Sequence, residues 1–121
     1  MYVVTMIAIA EGFNMLAKMG LDLEIMQKIT ETSSSGCFIA KNLSPVPGLV
    51  KGAPASNNHQ GGFAGTHMLK DVLLVKSAAE KGGTTVPTAD KVEAILRSII
   101  DKGHGDKDFS ILYEDLAGRL N

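Results

Sequence analysis

The chain has 121 residues, a formal net charge of −1, and acidic and basic side chains in nearly equal number. This length is sufficient for one domain with its own core. The balanced charge creates no field that would attract nucleic acid or an anionic membrane, so neither partner is expected. The single cysteine, Cys37, excludes an internal disulfide and favours an intracellular protein.

The first predicted helix runs from Tyr2 to Met19. Its apolar side chains recur at three- and four-residue steps and form one stripe: Val3, Met6, Ile7, Ala10, Phe13, Leu16 and Ala17. Val4, Ile9 and Met15 lie outside this stripe, so part of the helix surface is expected to be exposed. The run has no preceding basic residue and is too short to cross a bilayer, so we expect neither an export signal nor an anchor. Because no capping residue precedes the helix, we expect its start to lie upstream of this chain.

A second helix is predicted directly after the first. Gly20 is a typical terminator, and Asp22 is placed to cap the helix that follows. The apolar residues of this helix are Leu23, Ile25, Met26 and Ile29. The stretch 32–36, rich in hydroxyl side chains and ending in glycine, interrupts the pattern. We therefore expect two helices joined by a tight turn.

The middle of the chain is predicted to be a short helical piece followed by a long loop. The helical piece covers residues 37–42. Residues 44–62 form the loop, because Pro45 and Pro47 lack backbone donors and restrict the residues before them. Loops of this length in compact domains are usually functional or disordered.

Three more helices are predicted in the second half. One runs from Phe63 to Glu80 and ends at a pair of glycines. The next is expected to be capped by Thr88 and to end at Gly103, and the last to be capped by Asp106 or Asp108. No segment shows the alternation of a strand, and no internal repeat is evident. The fold class is therefore predicted to be all-α, a single domain of about five to six helices over residues 1–121.

A glycine-rich run precedes one of these helices. A dehydrogenase that holds its own cofactor needs a glycine-rich turn between a strand and a helix. The run Gly61 to Thr66 has glycines where free amides could meet an anion, but it lacks the spacing and the strand. The simpler interpretation is a flexible lead into a helix, and the nucleotide-binding Rossmann fold is expected to be absent from this chain.

The sequence gives little support for a metal site or for a cysteine nucleophile. The spacing of His59, His67 and His104 fits no common metal site, and only Cys37 could join them, so no metal is expected. A Cys37 nucleophile with His59 as its base would need the two to meet in space, and buried thiols are more often packing residues.

Lys70 and Asp71 lie up to about two turns into the helix after the long loop. A lysine on the inward edge of such a helix can reach a phosphate, a ribose or a carboxylate. Most lysines are exposed, however, and a solvated pair of neighbouring charges is the simpler alternative. The residues alone leave both interpretations open.

Five segments in order carry a family pattern: Ser33 to Cys37, Asn42 to Gly48, Pro54 to Phe63, Met68 to Asp71, and Lys107 to Ser110. Together they closely resemble the C-terminal domain of the 3-hydroxyisobutyrate dehydrogenases, members of the β-hydroxyacid dehydrogenase family. The resemblance covers almost the whole chain. It implies a helical domain like the C-terminal domain of 6-phosphogluconate dehydrogenase, which closes over the substrate and takes part in dimerisation.

The resemblance also implies an activity for the whole enzyme. Such enzymes oxidise 3-hydroxyisobutyrate to methylmalonate semialdehyde with NAD, in valine degradation. Their N-terminal Rossmann domain, missing here, binds NAD, and a lysine in a Lys-x-x-Asn-Asn motif handles the hydroxyl proton. That motif would lie upstream of Met1. We therefore expect no catalytic residue in this chain, no tight NAD binding, and no activity from the isolated chain.

Three residues receive roles by the same resemblance. Lys70 is expected to contact the cofactor, Phe63 to line the substrate cleft near the nicotinamide and so contact the cofactor as well, and Asp71 to fix the local helix. The sequence departs from the family pattern at His59, where tyrosine is frequent, at Phe38, where tryptophan is frequent, and near Gly36, where arginine is frequent. These departures put only fine substrate contacts in doubt.

Two rival hypotheses stay open. The enzyme could act on another short β-hydroxyacid, such as the one related to tartronate semialdehyde, or the chain could be a non-catalytic helical dimerisation module. A homo-oligomer is expected in either case, because an apolar helix surface without its cover tends to self-associate. The resemblance implies the mitochondrial matrix in a eukaryote and the cytoplasm in a bacterium.

Overall fold

The computed structural model describes residues 2–120 and contains six α-helices within them. They are α1 (Tyr2–Lys18), α2 (Leu23–Thr32), α3 (Phe38–Asn42), α4 (Gly65–Lys81), α5 (Pro87–Ile99) and α6 (Leu112–Leu116). Short 3₁₀ helices cover Pro54–Asn57 and Phe109–Ile111, and a π-helical turn covers Ile100–His104. Between residues 2 and 120 the only β-type pairing is an isolated bridge from Ala64 to Asp108. The predicted all-α fold is confirmed.

The core forms around α1. This helix contacts α2, α3, α5 and α6, and α4 packs against α5 on the other side of the domain. The first four turns of α1 bury the predicted stripe as far as Phe13, whereas Ala17 is exposed, so that part of the prediction was wrong. Tyr2, Val4 and Met15 are exposed on α1, as expected for a helix that is apolar on more than one side.

The predicted helix ends are partly correct. Asp22 caps α2 through its carboxylate, which accepts the N–H groups of Glu24 and Ile25. The predicted cap of α5 at Thr88 was wrong, because the helix already begins at Pro87. Proline suits the first turn because the amide it lacks would have no partner there. Gly103, with a φ of 83°, ends the helical segment as predicted.

The loop between α3 and α4 is more ordered than the sequence suggested. Ser44, Pro45 and Val46 are buried at its start. Further on, Ser56 Oγ accepts the N–H of Gly48 at 3.1 Å and donates to the Val50 carbonyl at 2.7 Å. These contacts fold the loop back on itself. Within residues 2–120, no helix has the length and apolar character needed to cross a membrane.

Candidate functional site

An open, mainly apolar groove of about 680 Å³ lies between the start of α1, one side of α4 and the segment leading into α5. The residues that line it are Tyr2, Val3, Val4, Phe63, Met68, Asp71, Val72, Val75, Thr85, Val86, Pro87, Thr88, Ala89 and Val92. A groove of this size lies within the range of small-molecule and cofactor sites. We call it the α1–α4 groove.

Phe63 lies at the rim of this groove, and two hydrogen bonds fix its backbone. Its N–H donates to Asp108 Oδ2 at 2.6 Å, and its carbonyl accepts the N–H of Phe109 at 3.0 Å. The side chain is 39% exposed and its ring lies 5.8 Å from that of His67. The aromatic face is therefore available to a ligand while its backbone is fixed.

Asp108 organises this corner of the domain. It is 6% exposed, and its second oxygen, Oδ1, accepts the N–H of Ser110 at 2.9 Å and caps the 3₁₀ helix before α6. Gly62 packs directly against it, since a Cβ on Gly62 would lie 2.0 Å from Asp108 Oδ2. The glycine thus allows the chain to approach the carboxylate.

The backbone amides at the start of α4 are already used within the protein. Gly65 N–H donates to the Lys107 carbonyl at 2.9 Å, and Thr66 N–H donates to the Gly105 carbonyl at 3.0 Å. Together with the bond from Phe63 to Asp108, these contacts leave no cluster of free amides at residues 63, 65 and 66 for an anion. The run Gly61 to Thr66 leads into a helix, but hydrogen bonds of its backbone amides fix its end in place.

Lys70 and Asp71 lie on the exposed side of α4. Lys70 Nζ is 3.2 Å from Asp71 Oδ1, and their side chains are 66% and 50% exposed. Asp71 lines the α1–α4 groove, whereas Lys70 does not. The structure therefore brings Phe63 and Asp71 to one groove, and the Lys70 ammonium contacts the Asp71 carboxylate.

The model of one protein family, described as "NAD-binding of NADP-dependent 3-hydroxyisobutyrate dehydrogenase", matches residues 1–116. The chain belongs to this family. It is 37% identical over 113 residues to the mitochondrial 3-hydroxyisobutyrate dehydrogenase of Rattus norvegicus, and 32% identical over 114 residues to that of Drosophila melanogaster. These alignments cover 93% and 94% of this chain but 34% and 35% of the relatives.

A solved structure gives the same result for the fold. The 3-hydroxyisobutyrate dehydrogenase of Mycobacterium tuberculosis, in a structure titled with L-serine, matches with a TM-score of 0.86 and 32% identity. The match covers 93% of this chain and 38% of that one. The chain thus spans about a third of the length of its family relatives, and the α1–α4 groove belongs to the family's helical domain.

Tyr2 is a groove residue that the sequence reasoning missed. Its ring packs edge-on against Phe109 at 5.2 Å between centroids. Burial, and secondly the charge of Asp108, raise the pKa of the Tyr2 hydroxyl. The sequence showed Tyr2 only as the first residue of a helix, since nothing local indicates that it meets residues more than a hundred positions away.

The other candidate residues have separate partners. The Cys37 thiol accepts the N–H of Ala40 at 3.5 Å and caps α3, whereas His59 contacts Ser110. Among the residues that the structure describes, no group of three or more histidine, cysteine or acidic side chains is placed to hold a metal ion. The thiol of Cys37 and the imidazole of His59 are therefore not paired with each other.

Proposed function

We propose that this chain forms the helical wall of the active-site cleft of an NAD-dependent 3-hydroxyisobutyrate dehydrogenase. The observation that carries the proposal is the α1–α4 groove, which places the exposed ring of Phe63 and the carboxylate of Asp71 together in a domain of this family. The names of the relatives support oxidation of 3-hydroxyisobutyrate, the reaction of valine degradation that yields methylmalonate semialdehyde. Oxidation of another short β-hydroxyacid is the alternative.

The described residues fit contact with a dinucleotide from one side. Bound NAD supplies the hydride acceptor. Phe63 offers an exposed aromatic ring of the kind that packs on a flat heterocycle, and the exposed ammonium of Lys70 can pair with a phosphate. The Lys70 ammonium lies 3.2 Å from Asp71 Oδ1, and both side chains are exposed. A diphosphate cradle is not expected at the start of α4, because the amides of Phe63, Gly65 and Thr66 bind within the chain.

No lysine lines the described part of this wall, and its titratable side chains are Tyr2 and Asp71. None of the described residues that line the α1–α4 groove is a lysine or a histidine, and Asp71, the one carboxylate, is half exposed and paired. Oxidation of an alcohol needs a positioned base to take the hydroxyl proton. We therefore propose that the proton-handling lysine and the Rossmann domain come from the part of the relatives that this chain does not span.

Cell location follows from the same proposal. The curated relatives of animals are named as mitochondrial, whereas the solved relative comes from a bacterium. We place the protein in the mitochondrial matrix if its source is eukaryotic, and in the cytoplasm if it is bacterial.

A chimera tests the proposal. Residues 2–116 of this chain would replace the matching third of the rat enzyme, and NADH formation from 3-hydroxyisobutyrate would be compared with other short β-hydroxyacids. We expect turnover that prefers 3-hydroxyisobutyrate. A chimera that folds, binds NAD and oxidises none of these acids would rule the proposal out.

Lys70 is tested in the same chimera. Losing a charged contact worth about 1.5–3 kcal/mol should raise KM for NAD roughly ten- to a hundredfold in Lys70→Ala. Lys81→Ala, which removes another exposed lysine from the last turn of α4, is the matched control and should leave KM unchanged. Equal effects of the two changes would remove Lys70 from the cofactor site.

A further inference from the structure

The imidazole of His59 joins the long loop to the C-terminal part of the domain. His59 is 4% exposed, and its Nδ1 lies 2.9 Å from the hydroxyl oxygen of Ser110, which is fully buried. Its backbone carbonyl accepts the N–H of Asp108 at 2.8 Å. One residue therefore connects the two segments by both its side chain and its backbone.

The backbone at this point is held in a conformation that depends on those contacts. Asn58 and His59 have φ angles of 52° and 56°, in the left-handed region that residues other than glycine seldom adopt. For an L-residue this conformation costs about 1–2 kcal/mol. Such a conformation persists only where the surroundings enforce it. Weakening the contacts of His59 should therefore let residues 58–63 relax.

Two carboxylates and two basic side chains influence the charge of the His59 imidazole. Glu114 of α6 has Oε1 at 3.9 Å from Nε2, and Asp108 also favours a charged imidazole, while Lys107 and His104 oppose it. The other oxygen of Glu114 is already paired with Arg119. Burial outweighs the two carboxylates, so the pKa of His59 is lowered from its ordinary value.

We propose that His59 is a pH-sensitive clasp, in which the neutral imidazole holds residues 58–63 against residues 108–114 and protonation loosens this contact. The physical cause is that protonation puts a charge in a buried position whose nearest carboxylate is beyond hydrogen-bond distance and shared with Arg119. Residues 58–63 end at Phe63, so the state of His59 controls how firmly one rim of the α1–α4 groove is held. The clasp is independent of the proposed function, because it needs no cofactor and no second domain.

The direction of the pH dependence follows from the lowered pKa. Between the folded pKa and the unfolded value of about 6.5, the unfolded chain binds more protons than the folded chain. The contribution of the neutral imidazole is therefore fully present above about pH 6.5 and is lost as the pH falls towards the folded pKa. The unfolding equilibrium constant changes about tenfold for each pH unit that separates the two pKa values.

The 121-residue chain itself provides the test. The NMR chemical shift of the His59 Cε1 proton, followed against pH, gives the pKa of His59. The hydrogen-exchange rate of the Asp108 amide, divided by its intrinsic rate, measures how often the contact between the two segments opens. We expect His59 to titrate below its ordinary pKa and the Asp108 amide to exchange faster as His59 takes up its proton. An ordinary or raised pKa, or exchange that does not follow the titration, would overturn the proposal, and neither measurement needs a variant.

Two variants separate His59 from other titrating groups. His59→Asn should flatten the fall in stability below about pH 6.5, because asparagine tolerates a positive φ and carries no proton in this range. His67→Asn removes an exposed histidine and should keep the pH dependence of the original chain. If His59→Asn shows the same pH dependence as the original chain, the clasp is not the cause.

Discussion

The carboxylate of Asp108 accepts the backbone N–H of Phe63 at 2.6 Å, although the two residues are 45 positions apart in the chain. This contact fixes one rim of the α1–α4 groove, since Phe63 is one of the two exposed aromatic residues that line it. Asp108 is almost fully buried and serves two amides at once. The groove therefore depends on a polar group beneath it as well as on the apolar residues that line it.

Removing the Asp108 carboxylate should destabilise the domain. Asp108→Ala leaves the amides of Phe63 and Ser110 without their acceptor, and we expect a loss of about 2–4 kcal/mol in the free energy of unfolding. Asp108→Asn keeps an acceptor and should cost less. Urea denaturation measures both, with the exposed Asp106→Ala as a control that should change stability by no more than about 0.5 kcal/mol. Equal stabilities of the Asp106 and Asp108 variants would contradict this account.

Gly62 should tolerate no side chain. The Cβ of Gly62→Ala would lie 2.0 Å from Asp108 Oδ2 and 2.6 Å from Pro54 Cγ, so either the loop or the carboxylate must move. We expect a loss of about 1–3 kcal/mol, typical of overpacking. Gly12→Ala is the matched control, because a Cβ there meets no atom within 4 Å and α1 should gain up to about 1 kcal/mol. Thermal denaturation should thus move the two melting temperatures in opposite directions.

The helices were predictable because local patterns specify them. The stripe from Val3 to Phe13, the Asp22 cap and the stop at Gly103 each lie within a few residues of the element they determine. The predicted cap of α5 at Thr88 lies two residues after the observed cap position, Val86, because the proline at residue 87 itself begins the helix. Boundary errors of this size are expected where two start signals are adjacent.

The site was much less predictable. The sequence singled out Lys70 and Asp71 by their place in a helix, but their roles and that of Phe63 came only from a family resemblance. Nothing in the sequence indicated that Asp108 holds Phe63 or that Tyr2 reaches the same groove. These contacts join residues that are far apart in the chain, and no local periodicity encodes them. The roles of Phe63 and Lys70 towards a cofactor, and that of Asp71 in fixing the local helix, stay predictions.

The centre of the core should be sensitive to truncation. Leu96 on α5 is fully buried, and Leu96→Ala should lower the free energy of unfolding by about 2–5 kcal/mol through lost burial and the cavity left behind. Leu74→Ala on α4 removes the same atoms from a side chain that is 62% exposed. Its effect should stay below about 1 kcal/mol, and a comparable loss at both positions in urea denaturation would argue against this packing.

The chain should self-associate in solution. Ile25 and Ile29 lie one turn apart on α2 and are 55% and 50% exposed, and Met15 and Met19 at the end of α1 are also exposed. Exposed apolar surface of this kind tends to bind another protein surface. Sedimentation equilibrium should show a concentration-dependent oligomer that the double change Ile25→Ser and Ile29→Ser weakens, whereas Lys28→Ser on the same helix does not. A monomer at high concentration would count against an oligomer formed through this face.

We propose that this chain supplies one wall of a cleft and neither the proton-handling amine nor the diphosphate site. The most direct measurement is NADH formation by the purified 121-residue chain with 3-hydroxyisobutyrate and NAD, in parallel with the rat chimera. We predict no turnover by the chain alone and clear turnover by the chimera. Hydride transfer by the isolated chain would contradict the account.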